Sequence, residues 1–172
     1  MQNAKLYLAE ALIYLMKEQN IEDIRINDLA KRAGVSRMSY YRYFSSKEQL
    51  LHFYMEYILD AYQKTVDAPN KAPFQSYEHI LQSLQFFAQY RPFAQCLHKA
   101  KMEGLLLETL NDYMRKQPAF QENKAIRSYP YYFYAGALYN TFMQWMLAKE
   151  PVPAEELAQI ISMLKTSTTN KK

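Results

Sequence analysis

An all-α fold of about nine helices is what this sequence predicts, and three observations carry that expectation. Apolar residues recur at helical spacing through nearly the whole chain, and no stretch alternates with the period of two that a half-buried strand needs. The only glycines, Gly34, Gly104 and Gly136, lie too far apart to build a Rossmann or P-loop phosphate cradle. The chain has 172 residues, 49% of them hydrophobic. That is enough to bury a core without disulfide staples, and it excludes a disordered or collagen-like chain. The single cysteine, Cys96, excludes an intramolecular disulfide framework and a Cys-rich zinc site, so no metal or cofactor is expected.

The elements follow in order. Leu6, Ala9, Ile13 and Met16 form a first helical stripe, and Ile26, Leu29, Ala30 and Ala33 a second. Gly34 then offers a left-handed helix end. Ser36 is an N-cap candidate for a short helix through Phe44, and Ser45 or Ser46 can cap the next, which carries Leu50, Tyr54, Tyr57, Ile58 and Ala61 to about Val66. Asp67–Pro73 holds two prolines and no apolar period, hence a loop. A helix from Tyr77 to near Tyr90 is broken at Arg91-Pro92, which opens a shorter one to about Lys101. Leu105, Leu106, Leu110 and Met114 mark another helix, and the polar stretch 117–128 a loop or frayed turn. Pro130 is tolerable only in the first turn of the next helix or at a kink, and that helix runs to about Ala148. Glu150–Pro153 ends it. The last stripe is Leu157, Ile160, Ile161 and Leu164, with Glu155 and Glu156 against its N-terminal dipole and a frayed tail over 166–172.

The N-terminus lacks the plan of a secretory signal, and one free cysteine suits the cytoplasm. The stretch between Arg127 and Lys149 has no charge and could span a bilayer by length. It carries tyrosines throughout, with Asn140, Thr141 and Gln144, whereas membrane helices keep aromatics to their edges. A helix buried on most sides of a helical bundle fits better, and no membrane partner is expected.

Function is concentrated in residues 24–51, IRINDLAKRAGVSRMSYYRYFSSKEQLL. This segment reads helix, glycine turn, short helix, turn, helix, the pattern of a helix-turn-helix. From Arg25 to Lys47 six basic residues stand against one acid, Asp28, a local +5 against +4 for the whole chain. A basic patch on a helix-turn-helix is the electrostatic footprint of a DNA binder. Tyr40, Tyr41 and Tyr43 interleave with the charges and can offer hydroxyls to phosphates.

The same segment resembles the DNA-binding module of the tetracycline-repressor (TetR) family of bacterial transcription regulators. That module has the form I-A-x-x-A-G-V-S-x-x-T-x-Y-x-x-F-x-x-K-x-x-L. Leu29-Ala30, Ala33-Gly34-Val35-Ser36, Ser39, Tyr41, Phe44, Lys47 and Leu50 stand in register with it. The run from Tyr131 to Ile161 resembles the last two helices of a Firmicutes-type subgroup. The resemblance implies a helix-turn-helix DNA-binding domain over 1–46 and a larger helical effector-binding and dimerisation domain over 47–172. It implies a homodimer that reads double-stranded operator DNA, palindromic to match its two-fold symmetry, and that is released as a repressor by a small-molecule effector.

Residue roles carry over position by position. The first turn of the third helix, Arg37, Met38 and Ser39, meets base edges, and Ser36 just before it is counted with the DNA-binding residues. Arg37 is the first base-reading choice, since arginine reads guanine bidentately, with a plain phosphate contact as its alternative. Met38 stands where glycine is commoner. Tyr41 matches a phosphate-contacting tyrosine, Tyr43 reaches the backbone, and Tyr40 aligns with a core position. Lys47 opens the fourth helix and, with the free N–H groups there, favours a phosphate. Arg25 replaces the usual threonine before the second helix and cannot cap it, so Asn27 either caps in its place or faces a base. Arg32 and Arg42 read as solvated charges.

For the remainder, Gly136, Trp145, Leu157, Ile160, Ile161 and Leu164 are the dimer-interface expectation. Phe86, Tyr90, Phe93, Cys96, Tyr132 and Tyr139 are the effector-pocket expectation, with ordinary core packing as the rival for each. The separated His52, His79 and His98 form no metal or catalytic spacing, so an enzyme is not expected. The rival reading is a TetR-like co-regulator that acts through protein partners without its own small-molecule effector.

Overall fold

Helix α1 (Gln2–Glu18) buries Leu8, Ala9, Ala11, Leu12, Ile13 and Met16, a wider face than the single stripe expected, and Leu6 is only half-buried. The reason is that α1 is covered from two sides. The computed structural model describes residues 2–66, 72–120 and 128–169. Among these residues lie nine α-helices, two 3-10 turns and no strand. The helices after α1 are α2 (Ile26–Arg32), α3 (Arg37–Tyr43), α4 (Lys47–Thr65), α5 (Tyr77–Ala88), α6 (Arg91–Lys99), α7 (Gly104–Lys116), α8 (Ser128–Leu147) and α9 (Ala154–Thr169). The 3-10 turns are Ile21–Asp23 and Pro118–Phe120.

Local chemistry explains the ends. Helix α2 closes in a Schellman arrangement: the Val35 N–H donates to the Ala30 carbonyl at 3.0 Å and the Gly34 N–H to the Lys31 carbonyl at 3.2 Å. Gly34 sits at φ 67°, the left-handed region that such an ending requires. Ser36 caps α3, its Oγ accepting from the Ser39 N–H at 3.1 Å. Of the two serines before α4, Ser46 is the cap, accepting from the Gln49 N–H at 3.2 Å. The Gln49 side chain reaches back to the Ser45 N–H at 2.7 Å, a near relative of the capping box. Pro92 opens α6, and Pro130 falls in the first turn of α8 as its missing donor demands. Helix α9 continues to Thr169, beyond the expected start of the frayed tail. Residues 67–71 of the expected loop, 121–127 of the polar stretch and the last three residues lie outside the described residues.

Three apolar clusters fill the interior. The first joins α1–α4 to α6 through Leu8, Leu12, Leu29, Tyr40, Leu50 and Leu97. The second joins α5, α6, α8 and α9 around Met146, Trp145, Leu157 and Ala158. The third lies between α4, α7 and α8 around Tyr62, Tyr113 and Ala135. The start of α4 therefore belongs to the core of the three helices before it. No helix of the described residues is long and apolar enough to cross a membrane.

No atom lies within 4 Å of a Cβ built on Gly34, so substitution there meets only backbone strain. Gly34→Ala should lower stability by roughly 1–2 kcal/mol, the cost of a left-handed non-glycine residue, and Gly34→Asn by less. Denaturant unfolding checks this, and equal midpoints for all three proteins would contradict it.

Candidate nucleic-acid interface

Helix α3 divides its side chains by the turn. Tyr40 and Phe44, four residues apart, point into the first core, where Phe44 meets Phe53 with ring centroids 5.7 Å apart. Tyr40 is buried, as its alignment implied, and its hydroxyl pKa is raised by that burial. Arg37, Met38, Tyr41 and Arg42 face outward, Met38 at 70% and Tyr41 at 49% exposure. Met38 thus contributes little to the chain's own core.

The outward side chains are ordered by one another. The Arg37 guanidinium donates to the Tyr41 hydroxyl at 3.3 Å and lies 5.3 Å from its ring centroid. Tyr41 stands edge-on to Tyr40, 5.3 Å between centroids at 84°. The Ser36 and Ser39 hydroxyls are 2.9 Å apart. Among the described residues, none of Arg25, Lys31, Arg37 and Arg42 pairs with a carboxylate. Their charge is thus left to the surroundings, and Arg25 and Asn27 extend the same exposed surface from α2. Arg32 departs from expectation: its guanidinium stacks on Tyr14, 3.0 Å from the ring centroid.

Two expectations change. Arg25 itself is the N-cap residue of α2, without a side-chain cap bond, and Asn27 is the second residue of the helix. The capping alternative for Asn27 is therefore withdrawn, because a residue inside the first turn cannot occupy the cap. Lys47 does open α4, but its ammonium turns inward. It donates to the carbonyls of Ile21, Glu22 and Ile24, the last two at 3.2 and 3.1 Å. The lysine that was read as a phosphate contact is spent on the protein's own backbone.

One cation was missed. Lys5 of α1 holds its ammonium 5.4 Å from the Tyr43 ring centroid and 5.5 Å from that of Phe53. It adds positive charge at the end of α3 next to a tyrosine already implicated. No sequence signal could have found it, since α1 reaches α3 only through the tertiary fold.

The six effector-pocket candidates are spread over different parts of the packing. Phe93 and Cys96 are buried in the first core, Phe86 and Tyr90 pack against it, Tyr139 packs on the second, and Tyr132 is exposed. Core packing thus accounts for five of the six. An open groove of about 740 Å³ lies elsewhere, between Tyr7, Glu10 and Tyr14 of α1 and Asp28, Lys31 and Arg32 of α2. A cavity of about 170 Å³ beside Met16, Ile21 and Lys99 includes only Cys96 of the six. Among the described residues no cluster of three or more histidine, cysteine and carboxylate side chains could hold a metal ion.

The dimer candidates divide too. Trp145 and Leu157 are buried in the second core, and Trp145 donates its indole N–H to the Val152 carbonyl at 2.8 Å. Both serve the chain's own packing and are withdrawn from the interface. Gly136 and Ile161 are half-buried, while Ile160 and Leu164 are exposed beside Met163. On α8, Tyr129 and Phe133 are exposed one turn apart.

Residues 8–52 match the model of a family described as bacterial regulatory proteins, tetR family. The fold is similar to that of the dihydroxyacetone kinase operon activator DhaS, with TM-score 0.65 and 17% identity over 96% of this chain and 95% of that one. It is similar to a TetR transcriptional regulator from Streptococcus agalactiae 2603V, with TM-score 0.65 and 20% identity over 95% and 93%. A tetR-family transcriptional regulator from Streptomyces coelicolor aligns with TM-score 0.59 and 14% identity over 99% and 85%. At these identities the likeness shows a shared fold. No curated protein matches the chain by sequence.

Cys96 packs against α1, its thiol donating to the Ile13 carbonyl at 3.5 Å, and burial pushes its pKa up despite the opposing effect of Lys17 and Lys99. A scarcer thiolate and a closed surface both slow alkylation. Iodoacetamide should modify the native protein far more slowly than the urea-unfolded chain at neutral pH. Similar rates in the two states would mean an accessible, reactive thiol.

Proposed function

With residues 8–52 a tetR-family regulatory domain on a TetR-type all-α fold, we propose that this transcription regulator is a homodimer that reads a palindromic operator in the cytoplasm and represses from it. The observation that carries the reading is the outer face of α3. There Arg37 and Tyr41 are exposed and hold one another, Met38 is exposed in the same turn, and among the described residues Arg37 has no carboxylate partner. In this reading Arg37 and Met38 meet base edges, the arginine at a guanine and the methionine at a thymine methyl. Ser36 and Ser39 lie in the same turn, their hydroxyls shared between the cap and the DNA. Tyr41, Tyr43 and Arg25 hold phosphates, Asn27 faces the groove, and Lys5 adds a phosphate contact beside Tyr43.

Residues 1–46 then act as the reading head and 47–172 as the dimerisation and effector body. No enzymatic step is assigned to either. Dimerisation falls to the exposed apolar faces: Ile160, Met163 and Leu164 at helical spacing on α9, with Tyr129, Phe133 and the small residues Gly136 and Ala137 on α8. A two-fold pairing of these faces fixes the separation of the two α3 helices, and so the spacing of the half-sites.

Effector release is the family's usual mode and is kept as part of the proposal, through a small molecule that favours one head spacing over the other. A second reading, a co-regulator working through a protein partner, gains from two observations. Five of the six expected pocket residues pack in or against two different cores, and a structural neighbour is described as an operon activator.

Footprinting on the DNA upstream of the chain's own operon is the direct test. Arg37→Ala should relax preference at one base pair per half-site, by about 1–3 kcal/mol of discrimination. Equal losses on every sequence would take Arg37 out of base reading, and no binding to any DNA at low salt would favour the co-regulator. Ile160→Asp with Leu164→Asp should turn a dimer into a monomer in sedimentation. A parent protein that sediments as a monomer at micromolar concentration would defeat the dimer.

A further inference from the structure

The connection from the end of α1 to the start of α2 presents carbonyls from the last turn of α1, which leaves its acceptors open, and from the 3-10 turn after it, where the Ile21 carbonyl also accepts the Ile24 N–H at 3.3 Å. Two lysines from outside this segment supply the donors. Lys99, the last residue of α6, donates to the carbonyls of Met16 at 3.4 Å and Lys17 at 3.3 Å. Lys47, the first residue of α4, donates to those of Ile21, Glu22 and Ile24. An ammonium has three donors and no acceptor, so Lys47 is fully committed. On the opposite side of the same turn, the Ile21 and Ile24 side chains are buried in the first core. The segment that leads into α2 is thus gripped by apolar anchors on one face and by ammonium groups on the other.

We propose that Lys47 and Lys99 are positioning residues for DNA reading: they bracket the α1–α2 connection by its carbonyls, Lys47 setting where the helix-turn-helix starts and Lys99 tying that start to α6. This rests on the helix-turn-helix reading above. It replaces a phosphate role for Lys47, which would require the ammonium to leave three carbonyls at a partly buried site. A compact point charge fits such a bracket, whereas the planar fork of an arginine does not. The cavity of about 170 Å³ along the same connection, between Gln19, Ile21, Glu22 and Lys99, gives the segment space to shift when a bracket is lost.

The test uses the full chain and the variants Lys47→Met, Lys47→Arg and Lys99→Met. Affinity for a short random-sequence DNA duplex is measured across a range of salt, with amide hydrogen exchange over residues 16–26 measured on the free protein. A phosphate ligand lost lowers the slope of log affinity against log salt by about 0.9. For Lys47→Met we expect the parent slope, with affinity roughly tenfold lower at every salt, as for loss of a charged hydrogen-bond donor. Exchange over 19–26 should quicken in Lys47→Met and also in Lys47→Arg, although the latter keeps the charge. Exchange over 16–21 should quicken in Lys99→Met, while α8 keeps its parent rates in all three and so reports that each is folded. A slope lower by about one unit in Lys47→Met, or a Lys47→Arg variant with parent affinity and parent exchange, overturns the bracket and restores the phosphate contact. Unchanged exchange in Lys99→Met removes Lys99. If the parent binds no DNA, the reading of the head fails by itself, and the exchange comparison still decides the bracket.

Discussion

The burial of one helix from two sides is the constraint on which the rest of the molecule depends. Leu8 and Leu12 of α1 meet Leu50 and Leu51 of α4 and Leu97 of α6 in a single cluster, all essentially without solvent contact. Each such leucine contributes about 1.5–3 kcal/mol by leaving water. The two helices that present the basic surface, α2 and α3, have seven residues each, too few to enclose an interior of their own, and they borrow α1, α4 and α6 to do so. The placement of α3 is therefore fixed by close packing rather than by a tether. A shift of α4 or α6 is felt at α3 because interiors of this density do not deform gradually.

Two groups of cations among the described residues have opposite electrostatic settings. Arg37 and Arg42 of α3 and Lys31 of α2 have no carboxylate partner among the described residues. Those at the joints are turned onto helix C-termini and turn carbonyls, where a positive charge offsets the negative end of the helix dipole. Arg91 shows the second class at the far end of the molecule. It donates to the Met146 and Ala148 carbonyls at 3.3 and 3.2 Å and lies 5.5 Å from the Trp145 ring, closing the end of α8. Lys99 does the same for α1.

What could be read without coordinates was whatever short-range chemistry decides. The Gly34 turn, the Ser36 cap, the proline at the start of α8 and the helical stripes all depend on neighbours within a few residues, and all are found where the sequence put them. Helix periodicity says that a face is covered but not by what. Trp145 and Leu157 were therefore assigned to a second subunit when the chain's own α5 and α6 cover them. A lysine in a basic stretch carries the same letter whether it reaches out or folds back, so Lys47 could be placed at the head of α4 but not aimed. Lys5 and the Tyr14–Arg32 stack arise from contacts between α1 and later helices, which no local window contains. Phe86, Tyr90, Phe93 and Tyr139, expected as cavity walls, pack in or against the chain's own cores, because bulk and polarity suit either use.

Tyr41 shows what the packing of α3 does beyond stability. Its ring is braced by the buried Tyr40 on one side and by the Arg37 guanidinium on the other, although half of its surface meets water. A free surface tyrosine and arginine would sample many rotamers, and each long side chain frozen on association costs about 0.5–1.5 kcal/mol. Here much of that freedom was surrendered when the chain folded. On the proposed reading, a phosphate would meet a pair already ordered in the free chain, so less of the contact energy would go into ordering and more would remain for telling one sequence from another.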